Sequence, residues 1–240
     1  MHMPIVRGLI RRRILVNYRV EPNILADLLP TPFRPQLVGG CGMAGICLIR
    51  LAEVRLRGFP ATLGFSSENA AHRIAVEWSE GGTMRRGVFV PRRDTNSHWN
   101  TLVGGRLFPG VHHHATFTVH ETQSHYSVAF RSDDGQSAVT IQGSIGCKLP
   151  SSSAFGTLAT ASEFFQRGSI GYSPTTDGQA LQGLELRCCE WSVTPLEIES
   201  VQSSFFENES LFPPGSVEFD CALLMRNIQH EWQGRPDLVA

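Results

Sequence analysis

Alternation of apolar and polar positions dominates the chain and predicts a protein built mainly of β-strands. Within residues 14–20, Leu15 and Asn17 fall on one side and Val16 and Tyr18 on the other, which is the period of two of a strand. Similar apolar runs bounded by turn residues predict further strands at 41–54, 69–78, 87–90, 111–121, 126–132, 138–148, 182–194 and 217–225.

Helical signals are few and short. Pro22 suits the first turn of a helix over residues 21–29, because its missing N–H is not needed there. A second helix is expected from Asp94 or Thr95 to about residue 103, and a third over 162–167. Residues 196–212 form either a loop or a helix.

These elements together favour a β-rich α+β fold. Many closely spaced strands with few helices indicate a mostly antiparallel sheet that curls into a barrel, with a few short helices outside it. Asp133-Asp134-Gly135 predicts a hairpin turn between two of the strands. Residues 150–153 are a surface loop, so residues 1–240 are expected to form one domain, with 206–240 its least defined part.

Composition excludes several classes of protein. A formal net charge of −1 provides no field that attracts nucleic acid or an anionic membrane. The basic run 11–13 adjoins an apolar stretch and is interpreted as a solvated strand edge. No apolar run is long enough for a membrane span, and no leader peptide is evident. Six cysteines without a CxxC pair indicate a reduced, cytoplasmic protein.

Two adjacent arginines form the most informative local pattern. The apolar strand 87–90 ends at Pro91, and Arg92 and Arg93 follow at its exit. A guanidinium group binds a carboxylate through two hydrogen bonds, so the pair predicts a site for a small carboxylate-bearing molecule. Because successive strand residues face opposite sides, at most one of the two enters the pocket. The alternative is an ion pair with Asp94 or Glu68.

Glu68 and Asn69 precede this pair by about twenty residues and are candidates for the same pocket, with Arg73 a weaker one. A buried Glu68 with a raised pKa can act as a general acid or base, which makes it the candidate catalytic residue. Beside an arginine it stays ionised and structural instead. These two interpretations predict opposite protonation states.

Three consecutive histidines offer a different chemistry. A strand over 111–121 places His112, His114 and His120 on one face, and two imidazoles at this spacing can bind one metal ion. A third ligand would come from Glu68, His98 or His120. The alternatives are a solvent-facing patch, or a pocket in which His114 makes a hydrogen bond to substrate. No cofactor is predicted.

Aromatic residues near the carboxyl-terminal end suggest a subunit contact. Phe205-Phe206 and Phe212-Pro213-Pro214 are interpreted as an exposed apolar edge that a second copy of the chain covers, which predicts a homodimer. The four tryptophans are expected in the core or at an interface.

The order of short motifs is similar to a known family. These motifs are Val20-Glu21-Pro22, Leu28-Leu29-Pro30, Glu68-Asn69, Gly87-Val88-Phe89 and His114-Ala115. Over roughly residues 10–205 the chain resembles a family of uncharacterised bacterial proteins allied to the acetoacetate-decarboxylase-like superfamily. The resemblance implies a cone-shaped, β-rich barrel with a small-molecule pocket at its centre.

The resemblance also implies a departure from the parent reaction. In the decarboxylases a Gly-aromatic-Pro-Lys-Lys segment supplies the lysine that forms a Schiff base, and glutamates with an arginine line the pocket. The matching segment here is Pro91-Arg92-Arg93, and Glu68 occupies a place similar to that of a pocket glutamate. Arginine stays protonated and cannot form the imine. Only Lys148, the chain's one lysine, could supply the imine route, but it lies at the end of a predicted strand next to a loop and is interpreted as a surface residue.

The function expected from these observations is therefore a small-molecule-binding barrel. As an enzyme it would act on a small oxo acid by lyase, hydratase or isomerase chemistry without a Schiff base. One alternative is a non-catalytic binding or sensing barrel. Another is a metal-dependent enzyme that uses His112 and His114.

Overall fold

The structure, a computed structural model, describes residues 4–98, 101 and 109–239. Over these residues the alternating apolar pattern forms strands of one hydrogen-bonded sheet. The strands are β1 (Val6–Val20), β2 (Arg34–Pro35), β3 (Leu37–Val38), β4 (Cys41–Leu56), β5 (Phe65–Glu80), β6 (Thr83–Thr95), β7 (His112–Glu121), β8 (His125–Ser132), β9 (Ala138–Ile145), β10 (Ile170–Pro174), β11 (Ala180–Cys188), β12 (Thr194–Ser203) and β13 (Val217–Val239).

The sheet is mostly antiparallel and curls back on itself. Its strand order is β11-β10-β6-β7-β8-β9-β12-β13-β1-β4-β5-β2, and β3 pairs with β4. Additional pairings of β5 with β6 and of β11 with β13 bring distant parts of this order together. Strand β6 runs parallel to both β7 and β10. The predicted mostly antiparallel, curled sheet is thus confirmed.

Two hydrophobic clusters lie on opposite faces of the sheet. In β1, Ile14 and Val16 belong to the first cluster, and Leu15, between them, belongs to the second. Side chains at neighbouring strand positions point to opposite faces, which explains the separation. The second cluster also contains Ala161 and Phe165 from a helix that packs on this face.

Helices are few, as predicted. The helices that lie wholly within the described residues are α1 (Pro22–Asp27) and α2 (Leu158–Arg167), with a 3-10 turn at Ala61–Leu63. Helix α2 begins earlier than expected because the Thr157 side chain caps it by accepting a hydrogen bond from Thr160 N. The expected helix start at Asp94 or Thr95 is wrong, because both residues belong to β6. His98 and Thr101 are helical, and Thr101 N donates to Ser97 O, whereas residues 99–100 and 102–108 lie outside the described residues. No described helix is long and apolar enough to cross a membrane.

Strand β6 corrects the prediction that the strand ends at residue 90. It continues through Pro91 to Thr95, with a register shift opposite Arg73. A proline interrupts a ladder least at a bulge, because the bulged residue needs no donor. The two arginines therefore lie inside a paired strand and not at its exit.

Strands β2, β3, β10 and β12 were missed, and β13 is one of several strands that were predicted too short. Strand β12 occupies most of the segment expected as a loop or helix, and its register shift between Ile198 and Ser200 breaks the alternation. Strand β10 has five residues, too few for a clear period. Strand β13 extends beyond residue 225 to Val239 through polar sequence, because β1 pairs with it as far as Trp232 and β11 pairs with it from His230 to Val239.

The expected exposed edge near residues 205–214 is also wrong. Phe206 and Phe212 are buried in the first hydrophobic cluster, and the Phe206 ring stacks on Tyr18 with ring centroids 4.1 Å apart. Phe205 packs against the same cluster. These rings complete the core of this chain, so they do not provide the surface proposed for a second subunit.

Candidate functional site

A small cavity of about 150 Å³ lies on the face of the sheet that carries the second hydrophobic cluster. Strands β1, β4, β5 and β6 form its floor, and α2, β10 and β11 contribute further walls. Most of its wall is apolar. The polar groups that line it are Arg13, Cys47, Asn69, Arg73, Arg93, Asp94, His112 and Ser169, and Trp191 and Trp232 supply aromatic walls.

Strand register brings three arginines to this cavity. Arg13 pairs with Ile49 of β4, and Cys47, two residues from Ile49, pairs with Ala71 of β5. Ala71 in turn pairs with Arg93 of β6. Positions two apart share a face, so residues far apart in sequence line one cavity.

A glycine lets Arg73 cross from β5 to β1. Gly45 pairs with Asn17 on one side and with Arg73 on the other. Because Gly45 has no side chain, the Arg73 guanidinium extends over it and donates from Nη2 to Asn17 Oδ1. Its position is fixed further by the Phe165 ring, whose centroid lies 4.8 Å from Arg73 Cζ.

Cys47 is the second partner of two of these arginines. Arg73 Nε donates to Cys47 Sγ at 3.1 Å, and Arg13 Nη2 lies 3.7 Å from the same sulfur. Burial raises the pKa of the Cys47 thiol, but the charges and hydrogen bonds of Arg73 and Arg13 outweigh it and hold the pKa below its ordinary value.

Among the described residues, the third arginine, Arg93, has one hydrogen-bond partner, a hydroxyl group. Its Nε donates to Ser173 Oγ at 3.2 Å. Its two Nη groups make no hydrogen bond to any described residue and are therefore available to a ligand. Burial lowers the pKa of Arg93 to about 10, and this group therefore stays charged at neutral pH.

None of the three cavity arginines is neutralised by a carboxylate in the part of the chain that the structure describes. The partners of Arg13 and Arg73 are sulfur atoms and an amide oxygen, and the partner of Arg93 is a hydroxyl. Arg13 Nε is buried and has no hydrogen-bond partner among the described residues. Unpaired buried charge is unfavourable, so this arrangement favours an anionic ligand. We call Arg13, Arg73, Arg93 and Cys47 with their cavity the arginine cavity.

Arg92 points away from this group and forms ion pairs. It binds Asp94 at 2.8 Å and Asp134 at 2.9 Å. Burial raises the pKa of Asp94, and the Arg92 charge opposes that rise. Of the two adjacent arginines, the structure therefore brings one to the cavity and gives the other the ion-paired role that was the alternative.

Glu68 lies on the other face from Asn69 and Arg73. Arg12 Nη2 donates to Glu68 Oε2 at 2.5 Å, and Arg50 Nε donates to Glu68 Oε1 at 2.5 Å. Glu121 completes the group by accepting from both arginines. We call these four residues the ion-pair cluster. This placement matches the structural interpretation of Glu68 and does not bring its carboxylate to the cavity.

The basic run at residues 11–13 is not a solvated edge as a whole. Arg12 is buried, with 2% of its side chain exposed, and Arg13 lines the cavity. Arg11 is exposed and lies 3.8 Å from Glu53. The period of two in β1 explains why adjacent arginines have such different surroundings.

His112 and His114, predicted to lie on one face of their strand, have different surroundings. His112 lines the cavity, and burial together with the charge of Arg93 lowers its pKa to about 3, so its ring is neutral. His114 instead binds Asp133 at 2.7 Å and stacks on His98, with ring centroids 4.1 Å apart. Within residues 4–98, 101 and 109–239, no group of three or more metal-ligating side chains comes together.

Of the predicted site residues, the structure therefore gathers Asn69, Arg73 and Arg93 at one cavity. Asn69 Nδ2 donates to Ser67 Oγ at 2.9 Å, which holds its amide at the rim. Arg13 and Cys47 were missed. The signal for Arg13 was the same alternation that assigned Leu15 and Asn17 to one face of β1, which also contains Arg13.

Solved structures with a similar fold are acetoacetate-decarboxylase-like proteins. Acetoacetate decarboxylase from Legionella pneumophila matches with a TM-score of 0.63 and 13% identity, over 99% of this chain and 89% of that chain. An acetoacetate-decarboxylase-like enzyme from Sphingomonas wittichii RW1 matches with a TM-score of 0.61 and 13% identity, over 98% and 92%. At these identities the likeness shows the fold, which the sequence resemblance had predicted.

A third similar structure contains a ligand. The enduracididine biosynthesis enzyme MppR complexed with pyruvate has a TM-score of 0.61 and 11% identity, over 98% of this chain and 90% of that chain. No curated protein matches the sequence. The profile of the DUF2071 family, described as an uncharacterized conserved protein, matches residues 9–224. With nine-tenths of its length matched and the fold of the allied superfamily, the chain belongs to the DUF2071 family.

Proposed function

We propose that the arginine cavity binds a small oxo acid and promotes proton transfer at the carbon beside its carbonyl group. The observation that carries this proposal is the convergence of three guanidinium groups on one small cavity without a carboxylate partner among the described residues. A bound carboxylate would neutralise part of that charge and form charge-assisted hydrogen bonds.

Arg93 is the best-placed group for the ligand carboxylate. Its Nε is held by Ser173, and its Nη groups make no hydrogen bond in the described part of the chain. Two parallel Nη hydrogen bonds suit a planar carboxylate. Arg13 and Arg73 then lie where negative charge on a ligand oxygen would be stabilised.

The chemistry follows from this charge. Transfer of a proton from the carbon beside the carbonyl group to a solvent base creates an enolate, and fixed guanidinium groups stabilise its oxygen. No Schiff base is required. The chain's one lysine, Lys148, is exposed in a bend after β9 and does not line the cavity. MppR, a protein of similar fold, was solved with pyruvate, an oxo acid of the proposed class.

Binding is tested by thermal denaturation with small oxo acids and hydroxy acids. A ligand at a hundred times its dissociation constant adds about 2.7 kcal/mol to the free energy of unfolding. This corresponds to a rise in midpoint of roughly 5–11 °C for a chain of this size. We expect an oxo acid to produce this rise in the wild type and none in Arg93→Gln.

Arg92→Gln is the matched control, because Arg92 is adjacent in sequence but ion-paired outside the cavity. Its own midpoint falls, yet the rise produced by the ligand should persist. If no acid stabilises the wild type, or if Arg93→Gln responds like the wild type, the proposed site is wrong.

Turnover is tested separately from binding. Exchange of the ligand's carbon-bound protons in heavy water, followed by NMR, reports enolate formation directly. Exchange faster than in buffer, and lost in Arg93→Gln, supports the enzyme. A ligand that binds without accelerated exchange supports the non-catalytic binding protein instead.

A further inference from the structure

Cys47 differs from the other five cysteines of the chain. Cys147 and Cys189 are exposed, and Cys41 is partly exposed. Burial raises the pKa of Cys188, and burial with the nearby Asp220 raises that of Cys221 to about 12. Cys47 alone among these thiols receives hydrogen bonds from two guanidinium groups, and it lines the cavity.

The two donors are held in place before any ligand arrives. Arg73 is fixed by Asn17 and by the Phe165 ring, and Arg13 by Met225 Sδ at 3.9 Å. Both are oriented towards sulfur rather than solvent. Preorganised cations next to a thiol favour its thiolate, which is the nucleophilic form of cysteine.

The arginine cavity has enough positive charge to neutralise both a Cys47 thiolate and a ligand carboxylate. Three guanidinium groups face Cys47, which as a thiolate would carry one negative charge, and Asp94, the carboxylate on the cavity wall, is engaged by Arg92. A bound ligand carboxylate would still leave one positive charge in excess. That excess can stabilise an oxyanion formed on the ligand.

We propose that Cys47 is the nucleophile of this cavity and forms a reversible covalent adduct with a small oxo acid. The choice of ligand rests on the proposed function. The Cys47 sulfur donates an electron pair to the carbonyl carbon, an S–C bond forms and the C=O π bond breaks. Its electron pair moves to oxygen, which the guanidinium groups stabilise until a solvent proton neutralises it. The product is a hemithioketal, and no oxidant or reductant is required.

The thiolate is tested by alkylation of the intact folded protein at neutral pH. Iodoacetate and iodoacetamide are compared, and each cysteine is followed by peptide mass spectrometry. Cys147 and Cys189, both exposed, are internal controls. Because the cavity is cationic, we expect the ratio of iodoacetate to iodoacetamide rates at Cys47 to exceed that at the controls by about tenfold.

A matched variant shows whether the arginines cause this effect. Arg13→Met removes one donor to sulfur and should lower the rate ratio at Cys47 while the ratios at Cys147 and Cys189 stay unchanged. Thiolate absorbance in the ultraviolet, measured against pH for the wild type and Cys47→Ser, provides a measurement that does not depend on reagent access. A Cys47 that titrates like an ordinary thiol overturns the proposal.

The adduct is tested by NMR with an oxo acid isotope-labelled at its carbonyl carbon. We expect a tetrahedral-carbon signal with the wild type and its loss in Cys47→Ala. Thermal denaturation with the same acid shows whether Cys47→Ala still binds it. An acid that binds the wild type with an unchanged carbonyl signal overturns the covalent role and leaves the proposed function intact. If no acid binds the wild type, the proposed function itself fails, and the adduct with it.

Discussion

The ion-pair cluster and the arginine cavity are built from neighbouring residues, yet their charges are balanced in opposite ways. Arg12 and Glu68 belong to the ion-pair cluster, where two arginines meet two glutamates. Arg13 and Asn69, the next residues along the same two strands, line the cavity on the other face. The first group is neutral by itself, whereas the second keeps excess positive charge. A charge balanced within the fold is structural, and one left unbalanced at a cavity is available to a ligand.

Strand β6 repeats this division. Arg92 is neutralised by Asp94 and Asp134, and Arg93 meets a hydroxyl at the cavity. The sequence pair Arg92-Arg93 therefore has the same two roles as Arg12-Arg13. Residue type cannot distinguish these roles, because all four are arginines within strands.

The largest expected difference concerns stability. Glu68→Gln removes the charge that balances Arg12, of which 2% of the side chain is exposed. Removing one partner of a buried ion pair costs about 3–5 kcal/mol. We expect a loss near the lower end, because Glu121 Oε2 still lies 3.2 Å from Arg12 Nη1. Chemical denaturation measures this change. A loss below about 1 kcal/mol, the usual range for exposed pairs, would show that Glu68 is not needed to neutralise the buried charge of Arg12.

The face of the sheet that carries the ion-pair cluster also contains a buried histidine, His72, which should make the stability of the protein depend on pH. Burial, with a contribution from Arg92, lowers the pKa of His72 from 6.5 to about 3, and its ring nitrogens have no hydrogen-bond partner in the described part of the chain. The unfolded chain thus binds a proton more readily than the folded chain. Stability from this group is present above about pH 6.5 and is lost as the pH falls towards 3.

His72→Leu removes that proton-binding site. At about pH 4.5 the histidine should destabilise the folded wild type by about 2–3 kcal/mol relative to neutral pH, from about two units at 1.36 kcal/mol each. Denaturation curves at the two pH values should therefore lie closer together for His72→Leu than for the wild type. Equal pH dependence in both proteins would contradict a neutral, buried His72.

The smallest expected effect comes from the cavity itself. Arg93→Met replaces an arginine that has no carboxylate partner in the described chain with an apolar side chain of similar length. We expect the free energy of unfolding without ligand to stay unchanged or to rise by up to about 1 kcal/mol, because no ion pair is broken. Chemical denaturation in ligand-free buffer measures it. A loss as large as that of Glu68→Gln would erase the distinction between the two regions.

Much of the fold was predictable from periodicity. The alternation at residues 14–20 located part of β1, and Asp133-Asp134-Gly135 located the turn between β8 and β9. The strand predictions were wrong where a bulge, or pairing with a strand distant in sequence, determines how far a strand extends. Pro91 falls at a register shift in β6, and the far half of β13 is polar sequence paired by β1 and β11.

The candidate site was predictable in part. Arginines that suit a carboxylate were recognised at residues 92–93, and the period of two showed that at most one could enter a pocket. Choosing Arg93 over Arg92 required the partners of each, Ser173 for one and two aspartates for the other. Cys47 carried no local signal, because its two guanidinium donors come from other strands.

The sequence by itself determined the β-rich architecture, the family resemblance and the absence of a lysine at the Pro91-Arg92-Arg93 segment. These properties depend only on residue types and their local spacing along the chain. The tertiary structure alone decided which charges are neutralised and which are not. A charge is balanced by atoms within a few ångströms, and in this sheet those atoms come from strands dozens of residues apart: Glu68 meets Arg12, and Cys47 meets Arg13 and Arg73.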